Sequence, residues 1–208
     1  MTALLFDLDG TLVDSRRDIA EALNLALSSF AIAPLALDEA MPFVGDGARK
    51  LVERALTYRG HAFDERVYDA FQAAYAEAPC VHTTLLDGAR EALALGLPCA
   101  LVTNKPRAIT LLVLEALGIR ESFSAVWAGG DGPLKPAPDG LLAIVRQLGV
   151  SVQDAWMIGD GPQDILAARA ARMRSIAVRG IGDETALLAS KPDVLVASLH
   201  EIGAVVQR

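Results

Sequence analysis

Apolar and polar positions along this chain follow two rhythms. Between residues 15 and 81, apolar residues recur every three or four positions. They include Ile19, Leu23, Ala26, Leu27 and Phe30 after a candidate N-cap at Asp14-Ser15, and Leu51, Val52, Ala55 and Leu56 within 47–56. Val67, Ala70, Phe71, Ala74 and Tyr75 continue the pattern within 64–78. The spacing predicts three helices and a shorter helical turn at 38–41, interrupted at Pro34, Pro42 and Pro79. Elsewhere short, continuous apolar runs alternate with helical stretches. Strands are predicted at 3–6, 98–102, 125–128, 155–158, 175–178 and 194–196. Helices are predicted ending at Gly96 and over 108–117 and 139–148, the last two stopped by Gly118 and Gly149. Strand alternating with helix predicts a parallel sheet with helical crossovers. The expected fold is α/β, a doubly wound, Rossmann-like parallel sheet formed by residues 1–14 and 82–208. A small helical cap, residues 15–81, is inserted after the first strand.

The totals narrow the function classes. At 208 residues, 52% hydrophobic and 22% charged, the chain supports one substantial core with a smaller insertion and is not a disordered chain. Net charge is −7 and the pI about 4.9, which argues against nucleic acid or an anionic membrane as partner. An acidic protein that takes an anionic substrate must concentrate its positive charge locally. No apolar run approaches the ~18 residues of a membrane span, and no targeting segment is visible at the N-terminus. Cys80 and Cys99 have neither metal-ligand nor disulfide-framework spacing, so a reducing cytoplasm is expected. Monomer and homodimer both remain open.

Candidate chemistry lies at the strand ends. The first strand runs into Asp7 and Asp9, which alternation places on one face, and Gly10 lets the chain turn away. Ligand sites of open parallel sheets lie beyond the carboxyl ends of their strands. Two acids there suit phosphoryl transfer, one attacking phosphorus and the other handling a proton, although an Asp-Gly loop opening would use the same residues. The second strand delivers Thr103 and Asn104, either hydrogen-bond donors to phosphate or an ordinary turn. The third leads to Lys135, held among prolines in a chain with four lysines and fifteen arginines. The fourth ends at Gly159-Asp160, with Asp164 four residues on as a Mg²⁺-type oxygen ligand, a helix N-cap, or both. Trp127 and Trp156 are expected in the core, and His61, His82 and His200 on the surface or in loops.

Taken in order, Asp7-x-Asp9-Gly10-Thr11, an apolar strand with Thr103-Asn104, Lys135-Pro136-x-Pro138 and Gly159-Asp160-x-x-x-Asp164 resemble the haloacid dehalogenase-like superfamily of hydrolases. The segments 44–56 and 102–106 are similar to its phosphoglycolate phosphatase group. The resemblance implies a phosphatase of small phosphomonoesters that forms an aspartyl-phosphate. Asp7 would be the nucleophile and Asp9 the general acid, then base. Thr103, Asn104 and Lys135 would hold phosphate. Mg²⁺ would be bound by Asp7, the Asp9 carbonyl and Asp160, with Asp164 behind them. Arg49 and Lys105 are candidates for the substrate's far end, Arg49 being equally suited to a solvent-facing position. A sugar phosphomutase or sugar-phosphate phosphatase is the alternative, and Thr11 at a position where mutases typically carry Val weighs against the former. A silent binding module would normally have lost one of the acids. Three residues depart from the family pattern: Asp46 for Asn, Gly161 for a small polar residue, and Arg172 for a helix-ending Gly.

Overall fold

The computed structural model describes residues 1–180 and 184–207. Its sheet order is β5-β4-β1-β6-β7-β8, all pairs parallel. The strands are β1 (Ala3–Phe6), β4 (Cys99–Pro106), β5 (Ala125–Gly129), β6 (Ala155–Gly159), β7 (Arg174–Val178) and β8 (Val194–Val196). A separate two-stranded ribbon pairs β2 (Val13–Asp14) with β3 (Thr84–Leu85), antiparallel. The helices are α1 (Arg16–Ser29), α2 (Leu37–Ala40), α3 (Ala48–Tyr58), α4 (Glu65–Glu77), α5 (Ala89–Leu93), α6 (Arg107–Ala116), α7 (Asp139–Leu148), α8 (Pro162–Ala171), α9 (Glu184–Ala189) and α10 (Ile202–Val206).

The central strand explains the layering. All four β1 residues are fully buried, and their side chains alternate between two cores. Leu4 and Phe6 pack on one face with Ile109, Val113 and Leu114 of α6. Ala3 and Leu5 pack on the other with Leu141, Ile144 and Val145 of α7 and Ala167, Ala168 and Ala171 of α8. A run buried on both faces shows no polar alternation, hence the continuous apolar stretch. Because β1 sits between β4 and β6, the order of connection reverses beside it. The carboxyl ends of β1, β4 and β6 therefore frame the crevice where such sheets bind ligands.

Two features of the fold differ from the sequence expectation. The strand expected at 98–102 continues to Pro106, with its pairing register shifting between Val102 and Pro106. Thr103, Asn104 and Lys105 thus lie within β4, buried despite their polarity. The ribbon β2–β3 has only two residues per strand, too few to show a period. It joins the outgoing and returning connections of the helical segment, and Leu86 N–H adds a bond to the Leu12 carbonyl. Beside it, buried Asp18 accepts from the amides of Val81, His82 and Thr83 at 3.0, 2.9 and 2.8 Å and from the Thr83 hydroxyl at 2.6 Å. These bonds fix the path by which the chain leaves and re-enters the sheet.

Helix α8 ends on Arg172 with φ +57°, the left-handed conformation in which a side chain clashes with its own backbone. The Arg172→Gly substitution is expected to stabilise the fold by about 1 kcal/mol, an increase in Tm of roughly 2–4 °C for a chain of this size. Thermal unfolding of the two proteins side by side measures it, and an unchanged or lowered Tm contradicts the strain assigned to this cap.

Candidate active site

At the end of β1 the Asp7 amide donates to the Ile158 carbonyl, which carries the acid to the sheet edge beside β6. Gly10 follows with φ +88°, and a Cβ there would lie 2.2 Å from an Asp160 oxygen. Only glycine lets the first turn close so tightly on the fourth strand's acid. Thr11 then donates its hydroxyl to Asp160 Oδ1 at 2.7 Å.

Lys135 organises the centre. Its buried ammonium donates to the Val102 carbonyl at 2.7 Å and pairs with Asp7 Oδ1 at 2.7 Å and Asp164 Oδ1 at 2.6 Å. An ammonium has three protons, and three protein oxygens lie within 2.7 Å of this one. Its pKa is raised because these carboxylates outweigh the burial that would lower it. Asn104 fixes the loop that carries it. The Asn104 amide donates to the Lys135 and Gly45 carbonyls at 2.9 and 3.0 Å, while its oxygen accepts from the Lys135 N–H at 2.8 Å. One polar side chain thus ties β4 to the cationic loop and to the helical segment. Thr103 Oγ1 accepts from the Lys105 amide at 3.2 Å.

Asp9 is held from a different side. Its Oδ1 accepts from the Ser15 hydroxyl at 2.5 Å and from Lys105 Nζ at 2.8 Å. Among the described residues none donates to Oδ2. Ser15 takes the N-cap position of α1, as the sequence suggests, yet its hydroxyl makes no cap bond and turns to Asp9 instead. Lys105 also donates to the Tyr75 hydroxyl of α4 at 2.5 Å.

The acids repel one another. Burial pushes the Asp7 carboxyl up to about 6, with Lys135 opposing the shift and the charge of Asp164 adding to it. Burial, then the charges of Asp7 and Asp164, push Asp160 up to about 8, with the Thr11 bond opposing. One carboxylate oxygen each from Asp7, Asp160 and Asp164 lies within 4.8 Å of the others. Asp7, Asp9, Asp160 and Asp164 outnumber Lys105 and Lys135 two to one. Hard oxygen donors, mutual repulsion and a local excess of negative charge fit a divalent cation such as Mg²⁺. Asp164 is the most engaged of the three. Its Oδ2 accepts from the Gly161 amide at 3.0 Å, so it closes the start of α8 from the third helical position and is not the N-cap.

Arg49 is not brought to this site. Its guanidinium lies 59% exposed over the Phe63 ring, in a two-bond pair with Glu65. The pairing partner comes from α4, so no pattern within α3 reveals which way Arg49 faces. Asp46 is neutralised by Arg54. Ser15, Thr11 and Tyr75 hold site residues in place, and sequence reasoning missed those roles. In the sequence Ser15 has the signature of a cap, Thr11 that of a family motif, and Tyr75 that of one more apolar helix position. A cleft of about 380 Å³ on one side of Asp9 is bordered by Gly10, Arg16, Arg54, Asp160 and Gln163. A smaller one of about 60 Å³ lies between Asp7, Asp9, β4 and α4.

Comparison with known proteins bears on this geometry. A family model described as haloacid dehalogenase-like hydrolase matches residues 1–172. A phosphoglycolate phosphatase of Chromobacterium violaceum is 38% identical over 211 residues, covering 96% of this chain and 95% of that protein. A phosphoglycolate phosphatase of Escherichia coli K12 is 34% identical, covering 95% of this chain and 89% of its own. The crystal structure of a predicted phosphoglycolate phosphatase from Haemophilus somnus superposes with TM-score 0.92 at 28% identity, over 100% of this chain and 98% of that one.

The Asp160 shift has a measurable sign. Native Asp160 keeps a proton up to about pH 8, whereas the unfolded carboxyl loses it near 3.8. Between those values the native state binds more protons, so this group's contribution to stability falls as pH rises. In chelator, urea unfolding of wild type and Asp160→Asn from pH 5 to 8 should show wild type losing stability relative to the variant. A difference that is flat or grows in favour of wild type contradicts the repulsion assigned to these three acids.

Proposed function

The chain belongs to the haloacid dehalogenase-like hydrolases, and we propose that it is a phosphatase of small phosphorylated metabolites with phosphoglycolate as its leading substrate. The observation that carries the reading is the pairing of Asp7 with Lys135, beside an Asp9 whose second oxygen accepts from none of the described residues. The names of the relatives support the choice of phosphoglycolate.

In this reading an Asp7 oxygen attacks phosphorus. The new O–P bond forms as the ester O–P bond breaks, and Asp9 passes a proton to the departing oxygen. Asp9 then takes a proton from water, whose oxygen attacks the phosphorus of the aspartyl-phosphate. Inorganic phosphate leaves and Asp7 is restored. A carboxylate approaching a phosphate dianion meets like charge, about 4 kcal/mol per unit pair at 4 Å and an effective dielectric near 20. Lys135 offsets part of that repulsion, and its three fixed bonds mean that no reorganisation is needed as charge moves. Thr103 and the Asn104 backbone amide are assigned to the phosphate oxygens. Mg²⁺, where bound, would be held by Asp7, Asp160 and the Asp9 carbonyl with Asp164 behind them, and would supply the remaining neutralisation. Thr11 orients Asp160 for that role. Residues 15–81 are assigned as a cap over the sheet edge, and the cytoplasm as the compartment. Among the described residues no helix is long and apolar enough to cross a membrane.

The purified protein with Mg²⁺ should release inorganic phosphate from a panel of phosphomonoesters, phosphoglycolate giving the highest kcat/KM. Asp7→Asn should lower kcat at least a thousandfold, about 4 kcal/mol of barrier. Turnover near the wild-type rate in that variant would remove the covalent mechanism. Silence of the wild type across the panel would remove the phosphatase reading itself.

A further inference from the structure

The two buried lysines of the site differ in one respect. Lys135 has three protein oxygens within 2.7 Å of its ammonium, donating to the Val102 carbonyl and Asp164 and pairing with Asp7. Lys105, its side chain only 3% exposed, has two, Asp9 Oδ1 and the Tyr75 hydroxyl. No third acceptor stands among the described residues. The Tyr75 hydroxyl has the same surplus: it accepts from Lys105 at 2.5 Å and donates to no described residue. Two adjacent buried donors, each with a proton that no described residue accepts, are costly to leave unpaired. Both border the cleft of about 60 Å³, whose other walls include Ile19, Leu51 and Phe71.

We infer that Lys105 and Tyr75 together form a carboxylate-binding subsite, and that this pair selects a phosphomonoester whose leaving group is a short hydroxy acid. The inference rests on the phosphatase reading and identifies the residues that set its specificity. Charge-assisted bonds from an ammonium and a phenol are the arrangement a carboxylate accepts. The position fits as well. Lys105 grips one oxygen of Asp9, and the leaving oxygen approaches the other. Those two points are separated by little more than a carboxylate's width and two hydrogen bonds of about 2.8 Å. A carboxylate on the carbon next to the ester oxygen spans that gap. The apolar walls of this cleft, Ile19, Leu51 and Phe71, offer no polar partners to the hydroxyls of a sugar. Because Lys105 touches the residue assigned as general acid, it also has a competing role, that of orienting Asp9 alone, and the two roles separate kinetically.

The test compares phosphoglycolate with 2-hydroxyethyl phosphate, in which the carboxylate is replaced by a neutral alcohol. Wild type is expected to favour phosphoglycolate at least tenfold in kcat/KM. Lys105→Met should cut that ratio at least tenfold and Tyr75→Phe at least threefold, the loss appearing in KM for phosphoglycolate. A ratio left unchanged while kcat falls equally for both esters would make Lys105 a positioning residue for Asp9 and overturn the subsite. Since Lys105→Met removes a buried charge partner, a second measurement needs no variant. Against the wild type, 3-phosphonopropionate should inhibit at least tenfold more tightly than propylphosphonate, and equal inhibition constants would overturn the proposal. Hydrolysis of both esters without discrimination defeats only this inference, whereas hydrolysis of neither defeats the phosphatase reading beneath it.

Discussion

The site depends on one interaction, the buried ammonium of Lys135 shared between Asp7 and Asp164. A carboxylate at the end of a central strand, taken from water and set beside other acids, would protonate and lose its nucleophilicity without a counter-charge. Lys135 opposes the burial that pushes Asp7 up to about 6, while among the described residues no cation pairs with Asp160, which burial and the charges of Asp7 and Asp164 push up to about 8. The same cation ties together strands β1, β4 and the start of α8, because its third proton goes to the Val102 carbonyl and Asp164 also accepts from Gly161. Fold and reactivity are therefore linked through one side chain. Removing it would leave two buried charges unpaired, a loss of the order of 3–5 kcal/mol.

The sheet was legible from the sequence wherever a strand is buried on both faces. Residues 3–6 and 155–158 carry no polar interruption, and the structure places them side by side. Legibility failed where burial and polarity part company. Thr103, Asn104 and Lys105 look like the end of a strand because they are polar, but they continue β4. Their side chains are buried, and those of Asn104 and Lys105 find partners in Lys135, Gly45, Asp9 and Tyr75, which lie 30 or more residues away. A two-residue ribbon such as β2–β3 lies below the length at which any period can be read.

The cations show the same limit. Within their own segments Arg49 and Lys105 are comparable candidates, each opening or adjoining a helix. What separates them is non-local. Glu65 and Phe63 draw Arg49 to the surface, whereas Asp9 and Tyr75 draw Lys105 inward. The acidic motifs were legible for the opposite reason. Their spacing is short, and strand geometry alone converts it into a shared direction.

The helical segment enters the chemistry through few but specific contacts. Gly45 accepts from Asn104, the residue that locks the Lys135 loop, and Tyr75 accepts from Lys105, the residue that holds Asp9. Tyr75 reaches Asp9 through Lys105 alone, and Gly45 reaches Asp7 through Asn104 and Lys135. Asp18 and the β2–β3 ribbon fix the two crossings between segment and sheet. A group filling the small cleft between α4 and β4 would strengthen both ends of that link at once. It would supply the acceptor that Lys105 and Tyr75 lack among the described residues, and it would bring the leaving oxygen within reach of the Asp9 oxygen to which none of those residues donates. In the proposed reading binding and alignment are the same event, because Lys105, the ammonium assigned to the leaving group, is bonded to Asp9, the residue assigned to protonate it.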